Sequence, residues 1–178
     1  LKDTIQNIHA MKMDCIVMRH PSPGSCLQLS KYVDSIIINA GDGSHEHPTQ
    51  ALLDMMSLKE KFGKLKGLKI AIIGDISHSR VALSNIIGLC KMGVKVTLCG
   101  PSHLIPLGIE ELGVEVNYDI NEVIEWADAI NVLRIQRERM GIGVIPSIRE
   151  YRKHFGITKE RIALYDKEIV IMHPGPMN

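Results

Sequence analysis

The chain has 178 residues, 45% of them hydrophobic, which is enough for one full domain or two small ones. It carries 21 basic and 20 acidic residues, a net charge of +1, and only two Phe and one Trp. That balance excludes bulk nucleic-acid or membrane-surface binding and stacking platforms for single strands. No apolar run reaches about 18 residues, so no membrane span is expected. Residues 1–20 carry no signal-peptide pattern. Cys15, Cys26, Cys90 and Cys99 are isolated, with no C-x-x-C, and read as reduced cysteines of a cytoplasmic protein.

In chain order, strand and helix alternate. Asp14–Met18 reads as a strand and Cys26–Lys31 as a short helix. Ser35–Asn39 reads as a buried strand that Gly41 and Gly43 break. Pro48–Phe62 reads as an amphipathic helix, with Pro48 suited to its first turn. Lys69–Gly74 is a continuous apolar strand, buried on both faces. Ser79–Met92 follows as a helix, with Gly93 as its C-cap. Next come a strand Val94–Leu98, a short helix Ile105–Leu112, a strand Val114–Tyr118, a helix Asn121–Trp126 and a strand Ala129–Leu133. A polar stretch from Arg134 to Glu150 leads to one or two helices and a last strand, Glu168–Met172. This alternation implies parallel sheets with helices on both faces. A domain boundary is expected near Gly63–Gly67. The chain opens on Leu1 and closes just after His173-Pro-Gly-Pro-Met, so both ends are expected to continue in a longer protein.

The strand ends carry the chemistry. In open α/β sheets ligands bind beyond the carboxyl ends of the strands. Arg19, then His47 and Gln50, then Arg80, then Arg134 and Gln136, then His173-Pro174-Gly175 each follow a strand. His47 and Gln50 stand at a helix N-terminus, which favours a small anion. The alternative is capping: His47 as the cap, and Gln50 reaching back to the cap amide. A metal reading of His45-Glu46-His47 lacks further ligands at a usual spacing. Arg80 lies in the first helical turn, where the dipole disfavours a cation unless an anion binds beside it. A salt bridge to Asp75 is the alternative. Arg134 and Gln136 are two apart on an extended segment and can face one side. Their surroundings also permit ordinary surface charge, the preferred reading for Arg137 and Arg139. A dinucleotide site is disfavoured, because Gly74 is followed by Asp75-Ile-Ser-His-Ser rather than a glycine fingerprint.

Taken as an ordered set, these motifs resemble the aspartate carbamoyltransferase family. They are Val17-Met-Arg-His-Pro21, Asn39-Ala-Gly-Asp-Gly-Ser44, His47-Pro-Thr-Gln50 with Leu53-Asp54, Gly74-Asp75 with Ser79-Arg80, Arg134-x-Gln136 with Glu138-Arg139, and His173-Pro-x-Pro176. The resemblance implies an α/β fold of two doubly wound parallel-sheet domains, the first incomplete in this chain. Residues 1–49 would be the C-terminal part of a carbamoyl-phosphate-binding domain, 50–62 an interdomain helix, and 63–178 an aspartate-binding domain. It implies carbamoyl transfer to L-aspartate in pyrimidine synthesis, with no metal or organic cofactor. Arg19, His47 and Gln50 match carbamoyl-phosphate contacts, with Arg19 and His47 catalytic. Arg80, Arg134 and Gln136 match aspartate contacts, and Pro174 and Gly175 match the turn whose carbonyls hold amino groups. It further implies a homotrimer with shared active sites, and regulatory or dihydroorotase partners in some members.

Departures are clear as well. The family's Ser-Thr-Arg-Thr phosphate loop, its Ser/Lys-bearing mobile loop, the last Arg of the His-Pro-x-Pro segment and the closing C-terminal helices are absent from this stretch, which is therefore expected to be inactive alone. The sister ornithine enzymes carry Cys where Thr49 and Pro174 stand here. A non-catalytic scaffold of the same fold is the reading from a different class.

Overall fold

Lys69–Ile73 (β3) is the strand around which most of the chain is organised. Its alternate side chains enter two different cores. Ile70 and Ile72 join Val96 and Leu98 under Leu58, Ile86 and Leu89, while Ala71 and Ile73 join Ile130 under Val123 and Ile124. A strand buried on both faces has no polar alternation, as its sequence indicates. The structure is a computed structural model, and it describes residues 1–135 and 147–175.

The described elements are α1 (Lys2–Ala10), β1 (Cys15–His20), α2 (Ser25–Leu29), β2 (Ile36–Asp42), α3 (Pro48–Phe62), β3, α4 (Arg80–Lys91), β4 (Lys95–Cys99), β5 (Glu115–Val116), α5 (Ile120–Trp126), β6 (Ala129–Val132), α6 (Ile148–Phe155), α7 (Lys159–Ile162) and β7 (Val170–Met172). They form a two-stranded sheet, β1-β2, and a five-stranded sheet in the order β5-β4-β3-β6-β7, all parallel. In the larger sheet the order reverses between β3 and β6. A crevice for ligands is expected beyond the carboxyl ends of those two strands. Arg80 and Arg134 both follow them. Among the described residues no helix is long and apolar enough to cross a membrane.

Several expectations need correction. Gly41 does not break β2, which runs on through it to Asp42. Nor is that strand buried: Ile36 is 65% exposed and Ile38 38%, as is Val17 of β1 at 66%. Among the described residues, one face of the small sheet is covered, where Met18 packs with Ile5 of α1 and with Cys26 and Leu29 of α2. The helix α1 was not expected. Ile105–Leu112 is not one helix but two 3₁₀ turns, Ser102–Leu104 and Ile109–Leu112. Pro106 lies between them, disfavouring helical backbone before it, and Gly108 at φ 75° starts the second afresh. α4 is capped at its C-terminus by Met92, and Gly93, at φ 74°, follows in the left-handed region.

α3 packs against β2 on one side and α4 on the other, so it joins the two sheets. At its contact with α4, an added Cβ on Gly88 would lie 2.9 Å from the Met55 methyl. Gly88 thus leaves room for the end of the Met55 side chain.

Candidate active site

The candidate site is built from backbone first. β1 and β2 run in register until an irregularity between Met18 and His20, and Arg19 lies at that point. Such bulges re-aim side chains at sheet ends. The loop after β2 is pinned by Asp42. Its buried carboxylate accepts from the Gly24 amide at 2.6 Å, the Glu46 amide at 2.9 Å and His45 Nδ1 at 3.2 Å. Asp42, His45 and Glu46 bring ligand-type atoms within 4.8 Å of one another, but both Asp42 oxygens already accept these donors. His47 of the sequence trio is not part of that cluster.

His47 is the N-cap of α3, though its side chain makes no capping bond. Its own amide donates to Ser84 Oγ of α4 at 2.9 Å, across the junction of the two sheets. Its Nδ1 lies 3.2 Å from Thr49 Oγ1. Burial first, then the positive fields of Arg80 and Arg19, hold its pKa below the usual imidazole range, and Asp54 opposes them. The imidazole is therefore neutral at pH 7. Gln50 does not form the capping box. Its Nε2 donates forward to Asp54 Oδ1 at 2.8 Å.

Arg80 begins α4, behind the Ser79 cap that accepts from the Ala82 amide. Its guanidinium is buried and donates to the Gly43 carbonyl at 3.2 Å. It lies so close to Gly41, at φ 116°, that a Cβ there would sit 2.8 Å from Arg80 Cζ. The salt bridge to Asp75 is not formed. Asp75 instead pairs with His78 at 2.8 Å. Arg134 follows β6, and β6 pairs with β7, so Arg134 and His173 emerge from neighbouring strands. Burial, with the field of Arg134 next, depresses the His173 pKa. Pro174 and Gly175 form a turn in which the Gly175 amide donates to His173 Nδ1 at 2.8 Å, with Gly175 at φ 64°. Gln136 and Pro176 lie outside the described residues.

His47 thus lies in the fields of both Arg80 and Arg19, while Arg134 groups with His173 and its turn. The sequence reading missed the polar centre between α3, α4 and β6. There Asp54, 7% exposed, accepts from Gln50, from Asn85 Nδ2 at 2.7 Å and from Asn131 Nδ2 at 3.0 Å. Leu53-Asp54 stood in a motif, but nothing local marks Asn85 and Asn131, whose role arises only from tertiary contact.

Comparison with known proteins gives a consistent picture. The family model described as aspartate/ornithine carbamoyltransferase, carbamoyl-P binding domain, matches residues 1–60, and the one described as the Asp/Orn binding domain matches residues 66–178. The aspartate carbamoyltransferase catalytic subunit of Christiangramia forsetii is 57% identical over all 178 residues, which cover 57% of that protein. The chain thus spans little more than half the length of this relative. Ligand-free aspartate transcarbamoylase from Trypanosoma cruzi superposes with a TM-score of 0.88 at 30% identity, over 100% of this chain and 60% of that one. The same enzyme in complex with N-(phosphonacetyl)-L-aspartic acid gives 0.86 at 30% identity, over 99% of this chain and 59% of that one.

Proposed function

The chain belongs to the aspartate/ornithine carbamoyltransferase family, and on that premise we propose that its protein carbamoylates the amine of L-aspartate. Carbamoyl phosphate is the donor, and N-carbamoyl-L-aspartate and phosphate are the products, as in pyrimidine synthesis. The observation that carries this reading is the Arg80 guanidinium seated against Gly41 and Gly43. It places a cation of the larger sheet over the loop that positions His47, so donor and acceptor can meet in one crevice.

The chemistry follows from these residues. The aspartate amine attacks the carbamoyl carbon, and negative charge grows on the carbonyl oxygen. Arg19 and neutral His47 act as preorganised donors to that oxygen. In the tautomer in which Nδ1 accepts from the Thr49 hydroxyl, 3.2 Å away, the His47 proton sits on Nε2, free to point at the oxyanion. As the C–O bond breaks, the departing phosphate takes the proton that the amine loses. Phosphate is a good leaving group, so no protein nucleophile is needed. Arg80, Arg134 and Gln136 hold the two carboxylates of aspartate, and Arg19, His47 and Gln50 hold the donor. The Pro174 and Gly175 carbonyls face the amino groups. Fixing both partners is mainly a proximity effect. The acceptor is aspartate rather than ornithine, because paired guanidinium groups suit a dicarboxylate and repel a second ammonium. The name of the 57%-identical relative and the phosphonate–aspartate ligand of the Trypanosoma cruzi complex support this choice.

The same reading assigns residues 1–49 to the carbamoyl-phosphate-binding domain, 50–62 to the joining helix and 63–178 to the aspartate-binding domain. It also takes the working protein to be a cytoplasmic homotrimer with shared active sites, alone or with a regulatory or dihydroorotase partner. The test is an assay of the full-length protein with carbamoyl phosphate and either aspartate or ornithine. Carbamoyl-aspartate is expected, unaffected by chelators. Replacing Arg134 with Ala should raise the KM for aspartate by about tenfold or more, since a hydrogen bond to a charged group contributes about 1.5–3 kcal/mol. Turnover of ornithine in preference to aspartate, or zinc-restorable loss on chelation, would overturn the assignment.

A further inference from the structure

Asp54 takes no part in the chemistry above, yet side chains of α3, α4 and β6 all converge on its carboxylate. Its Oδ1 accepts from Gln50 Nε2 at 2.8 Å, and its Oδ2 from Asn85 at 2.7 Å and Asn131 at 3.0 Å. A carboxylate can only accept, so all three amides must turn their NH₂ groups toward it. Both asparagines do so at a cost: Asn85 Oδ1 and Asn131 Oδ1 are buried without a hydrogen-bond partner. An arrangement that strands two buried carbonyl oxygens is held by the carboxylate, not by the asparagines themselves.

We propose that Asp54 is a positioning residue that sets which end of the Gln50 amide faces the ligand. With Nε2 committed to Asp54, Gln50 presents Oε1, an acceptor, to whatever lies beyond it. Under the carbamoyl-transfer reading, on which this inference rests, that acceptor selects the carbamoyl NH₂. It would discriminate carbamoyl phosphate from acetyl phosphate, which has a methyl group in its place. In Asp54→Asn, the remaining oxygen is retained by the two asparagine donors, and the new NH₂ faces Gln50. Gln50 must then turn over and offer its own NH₂ to the ligand.

The test measures binding of carbamoyl phosphate and acetyl phosphate to the full-length protein by calorimetry. Wild type is expected to prefer carbamoyl phosphate, and Asp54→Asn to lose about tenfold of that preference. A purely structural role would weaken both ligands alike and leave the ratio unchanged. In a Gln50→Ala background, adding Asp54→Asn should no longer alter the ratio. Gln50→Met removes the amide without touching the buried carboxylate, so it serves even if Asp54→Asn does not fold, and it too should lose the preference. Retention of the wild-type ratio in either single variant, or an Asp54→Asn effect that persists without Gln50, would overturn the inference while leaving the carbamoyl-transfer reading intact. A wild type that binds neither phosphate would remove both.

Discussion

The two sheets solve the same problem differently. β3 of the larger sheet is covered on both faces, and Ile70, Ala71, Ile72 and Ile73 are all essentially inaccessible. β1 and β2 are covered on one face alone, with Val17 and Ile36 open on the other. The larger sheet is therefore held by apolar packing, whose strength scales with the area removed from water. Order at the end of the smaller one rests more on directed polar contacts, chiefly those of Asp42, and on its junction with α3 and α4. His47 belongs to the less apolar side of this division, while the cation over its loop, Arg80, comes from the well-packed side. Precision at the crevice is imported from one sheet to the other through Arg80, Ser84 and Asp54.

The largest expected effect tests the contrast itself. Ile72→Ala empties a fully buried site and should destabilise the 178-residue chain by about 2–5 kcal/mol. Val17→Ala, at 66% exposure, should stay within about 0.5 kcal/mol. Denaturant unfolding with hydrogen exchange measures both, and amides of β3 and β6 should outlast those of β1 and β2. Equal protection, or a costly Val17→Ala, would show that the smaller sheet is packed more fully than its surface indicates.

The next test bears on the import of order across the junction. Gly41→Ala combines an unfavourable backbone, φ 116°, with a Cβ 2.8 Å from the Arg80 guanidinium. Strain of this kind costs about 1–3 kcal/mol. Arg80 must move, so in the full-length protein the KM for aspartate should rise more than that for carbamoyl phosphate. Wild-type constants in this variant would mean that Arg80 is not set by its contact with the loop.

These features were unevenly legible in the sequence. β3 could be read because burial on both faces writes a continuous apolar run. The same signature misled at Ile36-Ile37-Ile38, where alternate residues are open: such a run records that a face is fit for burial, not that it is covered. Gly41 looked like a strand breaker because glycine so often is one. Its actual reason is the neighbouring guanidinium, supplied by a residue 39 positions later. The candidate site residues stood out as polar groups following strands, since strand ends in a parallel sheet share one edge. Gln50 was legible as a helix-start residue, but its partner was not: the capping box and the Asp54 bond are both local options, and the Asp54 carboxylate that takes the amide is itself bonded by the distant Asn85 and Asn131.

The smallest effect concerns Asp42 and depends on pH. Burial is the largest single influence on its carboxyl and acts to raise the pKa. The hydrogen bonds from Asn39, Gly24, His45 and Glu46 together outweigh it, so the folded-state value lies below the usual one. A depressed carboxyl contributes stability that is fully present above the unfolded value of about 3.9 and is lost as pH falls through the folded one. Wild type should therefore lose part of its margin in that acid window, first in the loop between β2 and α3. In Asp42→Asn the pH-dependent part should vanish, leaving a variant less stable at neutral pH but flatter toward acid. Proteolysis or hydrogen exchange of residues 43–47 across about pH 2 to 5 reads this out. A variant that keeps the wild-type acid slope would show that some other carboxyl holds the loop. The smaller sheet's order would then not depend on the contacts assigned to Asp42.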